Sequence, residues 1–241
     1  MCHKVVPGTC FCLALWQVNR KIWKDKLVED MKLRTKIPAI ELPEDLIERR
    51  NLEYRRIKVR GTFDHSKEIY LAPRSLIVDN AFEKKHSFLI PMGRPEKPDL
   101  GVYVVTPFKL ADRDLTILVN RGWVPPELKD PRTRPEGQIE DEIELEGILR
   151  LKEDKPTYSP AEFHNKNRTF RYRDLVAMAE ATGSSFVYLD ATVESTVPGG
   201  PRGGQTQVNL KNNHMEYIVT WLSIGLYTFY MWHKRFIRRL N

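Results

Sequence analysis

One side chain with chemical potential stands out by its position. His214 lies in NNHMEYIVTWLSIGLYTFYMWHKRF, residues 212–236, at the mouth of an apolar, aromatic run. Asn213 followed by Glu216 resembles a capping box and places His214 in the first turn of a helix. A helix N-terminus disfavours a positive imidazole. A neutral imidazole is what haem iron or copper needs. Tyr217, Ile218, Trp221 and Gly225 follow on nearly the same face, and Gly225 permits close approach of a second helix. A flat apolar cofactor fits such a face, with His214, Tyr217 and Trp221 as its contacts. The plainer reading is a histidine at a membrane interface, bonded to backbone or headgroup.

Other candidates are weaker. The cysteines, Cys2, Cys10 and Cys12, all precede residue 13, so the middle of the chain holds no disulfide of its own. Three cysteines exclude a four-cysteine zinc site. Cys10 and Cys12 suit Cu(I) as soft ligands, but two residues apart on a helix they diverge; as small apolar fillers they need no metal. VPGGPRGGQT (197–206) is glycine-rich without the Gly-Lys-Ser/Thr of a P-loop. Its amides suit an anion, or it is a turn-rich return to the membrane. Tyr54, Arg56, Lys58 and Arg60 form a basic strand face that suits phosphate or an acidic partner, or is simply solvated. No aromatic–basic RNA-binding motif accompanies it, so nucleic acid is not expected. No HExxH, GxSxG or paired-carboxylate pattern is present, and His65 and His164 lie in polar surroundings. Local patterns therefore suggest no enzyme.

These residues need elements to position them. The chain has 241 residues, 41% hydrophobic and 29% charged, which suits one folded domain with appendages. The net charge of +7 lies largely near the ends and favours a membrane surface. From Tyr217 to Trp232 no residue is charged, a helix of about 24 Å that snorkelling Lys234 can extend. Tyr217, Trp221, Tyr227, Tyr230 and Trp232 resemble an interfacial belt, and Lys234, Arg235, Arg238 and Arg239 predict a cytoplasmic or matrix-side tail. VVPGTCFCLALWQV (5–18) is apolar but short, and continues as an amphipathic segment with Leu15, Val18, Ile22 and Met31 near one face. It reads as the second half of a membrane helix. Arg20, Lys21, Lys24 and Lys26 then oppose the positive-inside rule, which long translocated domains obey weakly.

Between them the alternation predicts strands at 52–63, 68–74, 101–110, 115–124, 142–151, 186–191 and 205–210, with the first two and the next two as hairpins. A helix is predicted at 171–182, stopped by Gly183, and a loop at 80–100. The fold class expected is α+β: a small antiparallel β-barrel or sandwich with an inserted helix, held between two membrane helices. The expected segments are a first membrane helix, 1–18, truncated; an amphipathic helix and linker, 19–51; a β-rich domain, 52–211; a second membrane helix, 212–233; and a basic tail, 234–241.

LWQVNRKIWK, NLEYRRIKVRGTFDHSKEIYLAPR, VYVVTPF, TILVNRGWVP, STVPGGPRGGQT and NNHMEYIVTW, in this order and spacing, resemble the Surfeit locus protein 1 (Shy) family. The resemblance runs from about residue 7 to 238. It implies a non-enzymatic assembly factor for cytochrome c oxidase, acting around insertion of haem a into the largest subunit. It implies a two-span protein of the mitochondrial inner membrane or of bacterial membranes, with its middle domain in the intermembrane space. Partners would be oxidase subunits and other assembly factors. Bacterial relatives bind haem a through a histidine of the second membrane helix, and His214 matches it. Family members carry a targeting segment and a complete first helix before the WQV motif, where this chain has only about a dozen residues. Alternatives are a haem a carrier proper or a membrane-bound enzyme built from scattered residues.

Overall fold

The computed structural model describes residues 2–45, 51–77, 99–151, 153, 168–206, 208 and 213–236. The predicted loop at 80–100, His164, Arg238 and Arg239 lie wholly or largely outside them. The chain divides into two compact units, Met1–Leu33 with Val208–Asn241, and Arg34–Gln207.

The Arg34–Gln207 unit is α+β. Its strands are β1 (Ile40–Glu41), β2 (Arg56–Phe63), β3 (Ile69–Ser75), β4 (Leu100–Leu110), β5 (Thr116–Val124), β6 (Ile143–Arg150), β7 (Thr169–Phe170) and β8 (Tyr188–Ala191). Five of them, in the order β2-β6-β8-β5-β4, close on themselves through a β2–β4 pairing and form a barrel. β1 extends it beside β2, and β3 and then β7 beside β4.

The barrel is not purely antiparallel. β1–β2, β3–β7 and β5–β8 are parallel pairs. β8 reaches β5 by a crossover, which a parallel pair requires, and that crossover carries a helix. The predicted hairpin of β2 and β3 is absent, since both strands pair with β4. β2 takes Phe108–Leu110, and β3 takes its other end, from Leu100 to Val105. Strand β4 has 11 residues, enough for two neighbours on one side, and a 3-10 turn at His65–Lys67 redirects the chain between them. The β4–β5 hairpin is present, with a register shift at Val104/Val105.

Period-two patterning explains β2 and β6. Ile57, Val59 and Leu145, Leu149 face the barrel core, while Lys58, Arg60 and Glu144 are exposed. β4 and β5 read as nearly continuous apolar runs because both their faces are covered. Inside lie Phe108, Ile117, Val119 and Leu189; outside, Val105 and Leu118 pack with Leu71, Phe170 and Met178. Met178 belongs to helix α2 (Leu175–Thr182), counting α1 (Cys2–Arg34) first. α2 starts four residues later than predicted because the Asp174 carboxylate accepts from Ala177 N at 3.3 Å and caps it. Gly183, φ +72°, ends it as expected. No strand forms at 205, 206 or 208, and the rest of the predicted last strand includes undescribed residues. The chain meets the sheet earlier, in a bridge of Arg202 with Trp123.

The other unit holds α1 and α3 (His214–Phe236). Their contacts run in opposite directions along the two helices: His214 meets Gln17, and Gly225 meets Cys10 and Phe11. The seam uses small side chains. Pro7, Cys10, Ala14 and Gln17 are buried on α1, and Ile218 and Gly225 on α3, with His214, Trp221, Thr228 and Trp232 half-buried. On α3 this is a heptad-like spacing of four and three residues. A Cβ on Gly225 would come within 3.3 Å of Cys10 Cβ and Phe11 Cε1, so the predicted close approach is real. Leu15 and Ile22, grouped above with Val18 and Met31, are instead exposed. Among the described residues no helix is long and apolar enough to cross a membrane. In α3, Tyr, Trp, Thr and Ser alternate with the aliphatic residues; in α1, Arg20 and Lys21 follow a short apolar run.

Candidate functional site

His214 is the second partner of a polar contact inside an apolar hairpin. Its Nδ1 lies 2.5 Å from Gln17 Oε1. A carboxamide oxygen only accepts, so Nδ1 carries the proton and donates. Gln17 is 9% exposed, so the contact is shielded and fixes the orientation of the ring. Gln17 lies in an apolar stretch, FCLALWQV, and a lone amide in such a stretch was the signal that could have revealed it.

Ile218, Trp221 and Gly225 share the seam with His214. Tyr217 is turned outward and is 53% exposed. Cys10 is buried against Gly225 and Cys12 is exposed, so the two thiols diverge. For haem the observation that bears on fit is the Gln17 contact. A ligand histidine ordinarily has its second ring nitrogen held by a neighbour. His214 fits that role, and Trp221 lies two turns further along the same seam.

The barrel places its polar residues differently. Arg56, Lys58 and Arg60 on β2 meet Glu146, Glu144 and Glu142 on or beside β6 at 3.2, 2.8 and 2.6 Å. The basic strand face is therefore a cross-strand ladder of ion pairs. Tyr54 does not belong to it: at φ 67° it turns in, and Arg150 stacks on its ring at 4.5 Å. The glycine-rich loop spends its amides internally. Gly200 N, Gly203 N and Gly204 N donate to Val197 O, Thr196 Oγ1 and Ala191 O, at 3.0, 3.0 and 2.9 Å. Arg202 and Trp123 exchange backbone bonds at 2.9 Å. Gly122 makes this docking possible. Its φ is +132°, and a Cβ there would lie 2.0 Å from Arg202 O.

Two buried networks went unread in the sequence. Glu68 and Arg134 form an ion pair with both side chains at most 2% exposed, and Tyr70 Oη donates to Glu68 Oε1 at 2.8 Å. Burial and the Glu68 charge push the Tyr70 phenol well above its ordinary range. Asp190 accepts from Asn120 Nδ2 at 2.7 Å and from Thr206 Oγ1 at 3.3 Å, and pairs with Arg150 at 3.4 Å. Asn120 Oδ1 in turn accepts from Gly122 N at 3.1 Å, tying this network to the bulged edge of β5. His65, expected on the surface, is half-buried and bonded to Ile139 O at 2.7 Å.

Fold and site together define a class: a small closed β-barrel unit with a two-helix unit built from the two ends of the chain. A family model described as SURF1 family matches residues 5–226. The chain is 46% identical over 97% of its length to Surfeit locus protein 1 of Rattus norvegicus, covering 74% of that protein. It is also 46% identical over 97% of its length to that of Homo sapiens, covering 76%, and 43% identical to that of Takifugu rubripes, covering 98% of this chain and 96% of the relative. The chain belongs to the SURF1 family.

Proposed function

We propose that this chain is a non-enzymatic assembly factor for mitochondrial cytochrome c oxidase, acting around haem a insertion into the largest subunit. Family membership supports the oxidase step. The single observation that carries the site is the Gln17–His214 contact, which joins two separated motifs through a polar bond in an apolar hairpin. The partners are oxidase subunits and other assembly factors. The hairpin lies in the inner membrane, 1–18 and 212–233 forming its membrane part, 19–51 leading out as an amphipathic helix and linker, and 234–241 entering the matrix. The β-rich segment, 52–211, lies in the intermembrane space. Exposed Leu15, Trp16, Leu226, Tyr227 and Tyr230 support burial of the hairpin's outer faces in lipid or against partner helices. The test is to restore cells lacking this protein with wild type or Gln17→Ala and read assembled oxidase on native gels. Wild type restores it; Gln17→Ala restores less at equal abundance. Full oxidase in cells lacking the protein overturns the reading.

A second reading, a haem a carrier, is favoured by the same contact. His214 would hold the iron, with Gln17 fixing its ring and Trp221 two turns further along the same seam, while Tyr217 is turned outward and takes no part. Bound haem a would supply redox-active iron as cargo, and the residues of this chain would only hold and orient it. The absorption spectrum of purified protein, wild type against His214→Ala, checks this: loss of the haem bands in the variant supports it, and identical spectra exclude it.

A further inference from the structure

Around Arg121 the barrel unit buries more positive than negative charge. Arg121 is 5% exposed, Arg134 2% and Glu68 3%. The Glu68 carboxylate is engaged by Arg134 Nη2 and Tyr70 Oη. Arg121 donates from Nη2 to the Gly137 carbonyl and lies over the Phe63 ring at 4.8 Å. Burial pushes Arg121 down to about 10, Glu68 holds it up and Arg134 pushes it further down. Even so, a guanidinium keeps its proton at pH 7. Arg121 and Arg134 thus share one buried carboxylate.

Buried polar atoms without a partner lie on these residues and on their chain neighbours. Among the described residues they include Arg121 Nη1, Arg134 Nη1, His65 Nδ1, Glu68 Oε2 and both amide atoms of Gln138. Gln138 follows Gly137, whose carbonyl takes Arg121. His65 is bonded to Ile139 and lies near enough to Arg121 and Arg134 to feel both charges. Buried charges are paired and buried donors are satisfied. Water would satisfy the donors but not the charge. An anion does both.

We propose that this cluster binds one small anion, of the chloride, formate or phosphate class, on Arg121 Nη1, Arg134 Nη1 and Gln138 Nε2. The ligand neutralises Arg121 and ties β5 to the 126–139 segment and to the turn at His65–Lys67. This inference stands independently of the assembly reading.

The test is thermal unfolding of the purified full chain, with ionic strength held constant by gluconate while chloride, formate or phosphate replaces it. At least one of the three gives a saturable rise of about 3–6 °C. Arg121→Met abolishes the rise and still folds, because an apolar isostere tolerates the site once the charge is gone. If that variant does not fold, Gln138→Leu removes only a donor and weakens the apparent anion affinity about tenfold. No anion-specific rise at fixed ionic strength overturns the proposal and leaves a cluster filled by water. The same rise in both variants also overturns it, placing an adventitious ion elsewhere.

Discussion

Arg56, Lys58 and Arg60 on the barrel each meet a glutamate of the same unit, and the side chains beneath them are dry. On the hairpin, Leu226, Tyr227 and Tyr230 stand 60%, 65% and 58% exposed. The barrel pairs the charges of its β2–β6 face across the strands and packs a dry core beneath them, with only scattered apolar side chains such as Leu100, Phe186 and Val193 left exposed. The hairpin satisfies one narrow seam and leaves aromatic and aliphatic side chains on its outside. A closed barrel has no need of a partner to be stable, whereas exposed apolar faces on this scale call for a cover. On the proposed reading the barrel supplies folding stability and the hairpin carries the function.

The strongest way to sharpen this contrast is to break the barrel from within. Glu68→Ala leaves Arg134 buried with only carbonyl acceptors and costs about 3–5 kcal/mol, read as a lower urea midpoint of the full chain. The double change Glu68→Leu with Arg134→Met recovers only part of that loss, because Arg121 is still left without the carboxylate. Gly122→Ala follows, at about 2–4 kcal/mol, because its Cβ collides with Arg202 backbone at a positive φ. Both lower the amount of folded protein, and the remaining protein keeps its activity per molecule. Normal abundance with lost function would erase the division of labour.

Gly225→Leu tests the other side. It forces the seam apart against Cys10 and Phe11, at about 1–3 kcal/mol of packing. The barrel's tryptophan signal from Trp123 should unfold at the wild-type midpoint while oxidase assembly falls. A shifted barrel midpoint would contradict the separation.

The smallest effect is a pH dependence. Burial is the largest cause lowering the His65 pKa from its ordinary 6.5; the Ile139 bond opposes it and Arg121 adds to it. The unfolded chain therefore binds a proton that the fold resists. The His65 contribution is complete above pH 6.5 and is lost as pH falls through the lower folded value. His65→Phe should flatten this part of the stability profile by less than about 1 kcal/mol, and an unchanged slope would count against it.

Strand identity was legible in the longer strands with one solvated face, as in Ile57, Val59 and Lys58, Arg60, because alternation reports burial, whereas the two-residue strands β1 and β7 are too short to alternate and were not legible. Pairing was not. β2 and β3 look like hairpin partners from their spacing, yet both pair with β4, since strand length and closure are global properties. Gly225 was legible as a close approach, and His214 as a helix start, because both are local. Gln17, Glu68 and Arg134 were not, because their meaning lies in partners far along the chain. Arg56, Lys58 and Arg60 read as either a binding face or a solvated one, and their glutamate partners on and beside β6 were not legible.

The measurement that tests the central claim most directly is the reduced-minus-oxidised spectrum of mitochondria from cells depleted of this protein. The account predicts a selective fall in the haem a band, with the b and c bands kept, reversed by wild type and only in part by a chain carrying Gln17→Ala with an intact barrel. An unchanged haem a band on depletion would contradict it.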